Sequence, residues 1–411
     1  MLRNWKGICD SMKYVIFLGD GMADYPVEEL GGRTPLQAAK TPMMDYIASH
    51  GVLGLVKTVP DGIAPGSDVA NLSVMGFNPM ECYTGRSPLE AASVGVEMKP
   101  NDVSFRCNLV TLSDAECYED KVMVDYSSDE ITTSEASELI KAVNQHFSNE
   151  SLSFYAGISY RHLLLWHGID FNFSLTPPHD ISGRKIGEYL PNNPTLLSMM
   201  QESCSFLSKH PINQQREAKG LHPANAIWIW GQGTKPKLPA FYEKYHLKAS
   251  VISAVDLIKG IALCAGMRSV DVEGTTGNVH TNFAGKAEAA IEELKNGQDF
   301  VYIHVEAADE SGHRNELDNK VKSIERIDEK IMRPVMDYLK SCGEDYKVMV
   351  LPDHPTPLAL RTHTSDPVPF ALYDSRCPQY SAITYSEDNA KNSSLYIEDG
   401  FTLMDRFIHS I

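Results

Sequence analysis

Cysteine is sparse and nowhere paired at close spacing. The eight residues, Cys9, Cys82, Cys107, Cys117, Cys204, Cys264, Cys342 and Cys377, contain no Cys-x-x-Cys pair. In a chain of 411 residues they read as reduced, mostly buried small side chains, not as a disulfide framework. Long hydrophobic runs are also missing. No apolar stretch approaches the roughly 20 residues that span a bilayer. The first one, Tyr14 to Leu18, stops at Gly19-Asp20, too soon for a signal-peptide core. The cytoplasm is therefore the expected location, and residues 1–11 read as a lead-in with Met12 as an alternative start. Positive charge is in deficit, with 37 basic against 54 acidic residues and a net charge of -17. That balance excludes a general binder of nucleic acid or anionic membrane. Small anions stay open as ligands, because a site can be locally positive on an acidic protein. Internal repeats, low-complexity tracts and a Gly-x-x-x-x-Gly-Lys-Ser/Thr phosphate loop are absent as well.

What is present is an ordinary globular composition, 43% hydrophobic and 22% charged, in a chain too long for most single cores. Three segments share one form, an apolar run followed by a turn bearing Asp or His. Tyr14 to Leu18 leads to Gly19-Asp20-Gly21, Phe300 to Val305 leads to Asp309 and His313, and Lys347 to Leu351 leads to Pro352-Asp353-His354. Unbroken apolar runs of this length suit strands buried on both faces, hence an α/β fold with a largely parallel central sheet flanked by helices. The polar groups then fall beyond the carboxyl ends of strands, where such sheets place ligands. Helical patterns separate the strands: Met43 to Ser49 after Pro42, Ala284 to Leu294 after Asn282, and Leu317 to Tyr338. The last carries Val321, Ile324, Ile327, Ile331 and Val335 at steps of three and four. The middle differs. Strand signals at Val122 to Val124, Leu163 to Trp166 and Ala226 to Trp230 are punctuated by Pro177-Pro178, Pro191, Pro236 and Pro239, and Asn192 to Pro223 reads mainly as one helix with loops. A smaller α+β domain is expected at 102–238, inserted between core segments 12–101 and 239–411.

Asp20, Asp309, His313, Asp353, His354 and His363 form a metal-ligand constellation. Asp309 and His313 are four apart and share a face on a helical turn. Mixed oxygen and nitrogen donors suit zinc or manganese. Six such side chains exceed the needs of one catalytic ion, and two ions around a substrate oxyanion fit better. Each residue alone also has a plain structural role, as turn former, cap or solvated loop residue. Gly62 to Leu72 is the second unusual segment. Ser67 there reads either as an N-cap or as a hydroxyl held at the positive end of a short helix, beside the metals.

The chain resembles the cofactor-independent phosphoglycerate mutases of the archaeal type and their bacterial relatives, within the alkaline phosphatase superfamily. The resemblance rests on Phe17 to Met22, Thr34-Pro35-Leu36 with Ala39 to Pro42, Gly66 to Asn71, Thr84-Gly85-Arg86 with Pro88-Leu89-Glu90, Gly274 to Gly277, Asp309 to His313, Asp353-His354 and His363 to Pro369. It implies an alkaline-phosphatase-like core and two manganese or zinc ions, with no bisphosphoglycerate requirement. Asp20, Ser67, Asp353 and His354 would surround one ion, and Asp309, His313 and His363 the other, with Ser67 becoming phosphorylated. The implied reaction interconverts 3-phosphoglycerate and 2-phosphoglycerate, the inserted domain serving to exclude water. Candidates for holding the small phosphorylated substrate are Arg161, His162 and Arg184, with Asn71, Arg86 and Lys286 as weaker ones. His179 or Asp180 could move the proton between glycerate oxygens. The stretch Trp228 to Gly233 lacks an arginine that the resemblance leads one to expect near Trp230. Alternatives are another metal-dependent phosphomutase or phosphatase on a small phosphorylated alcohol, and a homoserine kinase-like activity. A homo-oligomer is left open.

Overall fold

Alternation of short apolar runs with helical stretches produces thirteen strands in this computed structural model, which describes residues 12–170 and 174–409. The lead-in at 1–11 lies outside the described residues. In chain order, β1 (Lys13–Gly19) and β2 (Val52–Val56) come first. They are followed by β3 (Asp102–Leu112), β4 (Met123–Asp125), β5 (Leu152–Tyr155), β6 (Arg161–His167) and β7 (Ala226–Thr234). The chain ends with β8 (Ala249–Ile252), β9 (Arg268–Val270), β10 (Phe300–Val305), β11 (Tyr346–Leu351), β12 (Val368–Asp374) and β13 (Tyr396–Ile397). They divide between two compact units. One comprises the chain up to Tyr83 and from Lys237 onward, the other Thr84–Pro236.

The larger unit holds an eight-stranded sheet in the order β13-β2-β12-β11-β1-β10-β8-β9. Every residue of β1 is buried, which is why its sequence is apolar without alternation. β1 pairs in parallel with β10 on one side and β11 on the other, Phe17 lying opposite Ile303 and Val350. Val15, Phe17, Ile303, Val348 and Val350 share one core with Phe283, Ala287 and Ala290 of the helix Phe283–Lys295. The register brings three strands to an end at one level: Gly19 opposite Val305, and Leu18 opposite Leu351. Asp20, the turn after Val305, and Asp353 therefore emerge side by side. β12 is antiparallel to both β11 and β2, so the sheet is parallel at its centre and mixed toward one edge.

The smaller unit is an antiparallel sheet, β4-β3-β6-β5 with β7 on the other side of β3, covered by helices Thr133–Phe147 and Pro194–Leu207. The expected first boundary near residue 101 lies instead between Tyr83 and Thr84. Helix Ser87–Ser93 packs on β3 and β7, and Ser87 donates to the Ser104 carbonyl at 3.0 Å. That contact ties 84–101 to the smaller sheet. The single helix expected over Asn192 to Pro223 is two, Pro194–Leu207 and Pro211–Ala218, because Pro211 opens the second at its first position. The long amphipathic pattern from Leu317 is interrupted by a π-helical segment, Ile327–Met332, between α-helices Leu317–Arg326 and Arg333–Ser341. There Asp328 Oδ2 accepts from the backbone N–H groups of Met43 and Met44 at 2.8 and 2.9 Å, capping helix Pro42–His50 from outside. Among the described residues no helix is long and apolar enough to cross a membrane.

Candidate metal centre and its serine

The first group assembles where β1, β10 and β11 end. Asp20 follows β1, its N–H bonded to the Val305 carbonyl at 2.9 Å. Gly21 adopts φ +62, and a Cβ there would sit 2.6 Å from Thr356 Oγ1 and 2.7 Å from the Asp309 backbone, so only glycine fits. Asp353 Oδ1 accepts from Gly21 N at 3.1 Å and His354 N at 2.9 Å. Its Oδ2 accepts from Asn71 Nδ2 at 2.8 Å. His354 Nε2 lies 3.6 Å from Asp20 Oδ1 and 3.5 Å from Asp353 Oδ2. Asp20, Asp353 and His354 offer three ligand atoms within 4.8 Å of one another, all buried.

Asp309 and His313 lie on helix Ala307–His313, which follows β10, and the four-residue spacing brings Asp309 Oδ2 to 3.2 Å from His313 Nε2. His363 Nε2 is 3.4 Å from Asp309 Oδ1 and 2.9 Å from His313 Nε2. His313 Nδ1 meets the Arg361 carbonyl at 3.0 Å and His363 Nδ1 the Pro65 carbonyl at 3.4 Å. A carbonyl only accepts, so each ring donates from Nδ1 and turns its Nε2 toward Asp309. Asp309, His354 and His363 form a second set of ligand atoms within 4.8 Å.

Burial pushes the Asp20 carboxyl well above its ordinary pKa, aided by the charges of Asp353, Asp309 and Glu306. Its Oδ1 has no hydrogen-bond partner. Burial would also raise Asp309, but the bonds from His313 and His363 outweigh it and hold that carboxyl well below the usual range. His313 is raised to about 9, chiefly by its bond to Asp309. Crowded carboxylates, a buried oxygen without a donor and two imidazole Nε2 atoms aimed at one spot are what a divalent cation satisfies. The residues present fit the metal pair the sequence suggests.

Ser67 opens helix Ser67–Val74, every residue of which is buried. The N-cap is Gly66 and has no side-chain cap bond, so capping does not account for Ser67. Its Oγ faces His354 Nε2 at 3.2 Å. Asn71, one turn on, donates to the Ser67 carbonyl and to Asp353 Oδ2, both at 2.8 Å, and accepts from Tyr302 OH at 2.6 Å. That occupies the whole carboxamide at a site with no exposure. Asn71 is thus a brace between Ser67 and Asp353, not a group open to substrate.

Two further expectations are corrected. Lys286 is fully buried, donates to the His304 carbonyl at 2.6 Å, and is lowered by burial to about 8. His162 is buried on β6, accepts from Gly157 N at 3.1 Å, and is lowered by burial to about 3. Neither faces solvent. Arg184 is exposed and reaches Tyr189 OH at 3.4 Å. Arg86 and Arg161 are exposed on the smaller unit, Arg161 lying over the Tyr160 ring. Both are electrostatic neighbours of Arg106, a residue the sequence did not single out. Arg106 on β3 is clamped by Glu90 through Nε at 3.0 Å and Nη2 at 2.9 Å, and stacks over Trp230 at 4.5 Å. His179 packs edge-on to the same Trp230 at 5.4 Å, with Asp180 at 3.6 Å from its Nε2. Burial and the charges of Arg106 and Arg86 lower His179, against the raising effect of Asp180. His304 was also missed. Wholly buried on β10, it meets Asp20 Oδ2 at 3.1 Å and Ser253 Oγ at 3.2 Å.

Comparison with known proteins agrees with this geometry. A Geobacter sulfurreducens protein described as a probable 2,3-bisphosphoglycerate-independent phosphoglycerate mutase is 48% identical over 401 residues, covering 97% of this chain and all of that one. The chain belongs to that family. The corresponding Methanosarcina barkeri mutase is 49% identical over 389 residues, 93% of this chain and 96% of its own. The family pattern for 2,3-bisphosphoglycerate-independent phosphoglycerate mutase matches residues 48–213. The solved structure of a Pyrococcus horikoshii protein superposes with a TM-score of 0.80 at 29% identity, covering 96% of each chain. The family's fold, a central sheet flanked by helices with a smaller inserted domain, is the fold seen here.

Proposed function

We propose that this chain is a metal-dependent phosphoglycerate mutase, interconverting 3-phosphoglycerate and 2-phosphoglycerate through a phosphoserine intermediate formed on Ser67. The observation that carries the reading is the Ser67 hydroxyl, uncommitted as a cap, 3.2 Å from His354 Nε2 at the edge of a buried carboxylate cluster. Asp20, Ser67, Asp353 and His354 would hold one divalent ion and Asp309, His313 and His363 a second, manganese or zinc. When bound, the ions supply Lewis acidity, lowering the pKa of the serine hydroxyl and offsetting charge on the phosphoryl oxygens.

The chain's own groups account for the remaining requirements. Ser67 Oγ gives up its proton and bonds to phosphorus as the bond to the glycerate oxygen breaks, and that oxygen takes up a proton. The second transfer runs the same exchange in reverse on the neighbouring hydroxyl, with no net proton change. Asn71 fixes the serine backbone relative to Asp353, so nucleophile and carboxylate move as one piece. His179 is our candidate for moving the proton between glycerate oxygens, with Asp180 beside it. Arg106, Arg86 and Arg161 supply the binding charge for an anionic substrate. The guanidinium expected near Trp230 is supported here from a neighbouring strand, through Arg106.

The test is incubation of manganese-loaded protein with 3-phosphoglycerate while 2-phosphoglycerate and free phosphate are followed together. Isomer without added bisphosphoglycerate, and a phosphorylated Ser67 on rapid acid quench, are the expected results. Phosphate as the main product would make the chain a phosphatase. Isomerisation at the normal rate in Ser67→Ala would remove Ser67 as nucleophile.

A further inference from the structure

We infer that Thr356 is a positioning residue that fixes the proton of His354 on Nδ1 and so commits this imidazole to the cluster around Ser67. The inference rests on reading the two clusters as metal sites. By distance alone, His354 belongs to both the Asp20–Asp353 set and the Asp309–His363 set. What separates them is the hydrogen bonding of Thr356 Oγ1, which contacts Asp309 Oδ1 on one side and His354 Nδ1 at 3.3 Å on the other. A hydroxyl has one proton to give. The Asp309 carboxylate can only accept, so it takes that proton. The hydroxyl is then left as acceptor toward His354, whose Nδ1 must donate. The imidazole lone pair accordingly sits on Nε2, which faces Ser67 Oγ at 3.2 Å, Asp353 Oδ2 at 3.5 Å and Asp20 Oδ1 at 3.6 Å.

Thr356 is held for this task from several directions. It is wholly buried. Lys320 Nζ donates to its carbonyl at 2.8 Å while pairing with Asp24 at 2.6 Å, both side chains buried. Gly312 leaves room for the same carbonyl, since a Cβ there would lie 2.5 Å from it. Gly21 does the same for the hydroxyl. One side chain thus touches a candidate ligand of each ion and decides which of them His354 serves.

The experiment compares wild type with Thr356→Val, which keeps the shape and loses the hydroxyl, and Thr356→Ser, which restores it. Two readouts need no substrate: the 15N shifts of the His354 ring in the metal-free chain, and calorimetric titration with zinc. Wild type and Thr356→Ser are expected to show the Nδ1–H form and matching zinc affinities. Thr356→Val should show mixed tautomers and a zinc affinity weaker by about tenfold to a hundredfold at one site or both. A proton found on Nε2 in the wild type would overturn the inference, even if Thr356→Val fails to fold. Wild-type zinc affinity together with the Nδ1–H form in Thr356→Val would overturn it as well. A wild-type chain that binds no zinc would overturn the metal reading, while the metal-free spectrum still decides the role of Thr356.

Discussion

Replacing Ser67 by alanine removes one oxygen and leaves the helix behind it intact, because Gly66 occupies the cap. Isomerisation and phosphoenzyme should both vanish while the unfolding free energy falls by no more than about 1 kcal/mol, the worth of one hydrogen bond. Acid-quench labelling and denaturant titration read the two separately, and a large stability loss would mean that Ser67 is structural. Arg106 asks for a gentler change. Alanine would strand Glu90, so Arg106→Lys is the informative variant: it keeps the charge and loses the planar fork that Glu90 and Trp230 hold. The KM for phosphoglycerate should rise about tenfold or more with kcat changed less, as for a lost charged hydrogen bond. An unchanged KM would take Arg106 out of substrate binding. Both residues also show what a sequence reveals. Ser67, Asp20 and Asp353 stand out because they follow glycines or strand ends. Arg106, His304 and Thr356 do not, because Glu90 and Trp230, Asp20, and Asp309 respectively reach them from other elements of the fold. Lys286 misled for an avoidable reason. It follows Phe283 by three and precedes Ala290 by four, which places it on the buried stripe of its helix.

At the scale of elements, the Ile327–Met332 segment carries a test of its own. Asp328 Oδ2 takes two N–H groups from helix Pro42–His50, while Oδ1 is buried without a partner. Burial raises this carboxyl from 3.8 to about 6, against those two bonds. Between those pH values the folded chain binds more protons than the unfolded one, so stability falls as pH rises through that window. Asp328→Asn should flatten that slope at little cost, since an amide oxygen can accept the same bonds. Asp328→Ala should cost about 1–2 kcal/mol through two uncapped donors. Urea midpoints across pH 4 to 6 check both, and a slope that survives Asp328→Asn would assign it elsewhere. The π-helical turn was illegible because the apolar spacing runs through it unbroken, and the Met43 and Met44 donors that Asp328 meets lie far away in sequence. The central strands were legible because burial on both faces leaves no alternation to misread.

For the whole molecule, the metal reading predicts two unfolding transitions that respond differently to ions. The proposed ligands Asp20, Ser67, Asp309, His313, Asp353, His354 and His363 lie in the larger unit. Manganese at about a hundred times its dissociation constant should stabilise that unit by about 2.7 kcal/mol, and chelation should reverse the shift. The transition of Thr84–Pro236 should not move. Calorimetry with and without chelator checks this, and equal shifts in both would break the assignment. The larger unit is also discontinuous, and this has a consequence for its making. β1 reaches the ribosome exit early, yet its two sheet neighbours, β10 and β11, are synthesised some 280 and 330 residues later. The inserted unit is contiguous and can close while β1 still waits. Capacity to bind the ions is then acquired last, so a nascent or prematurely ended chain holds a finished insert and no working centre.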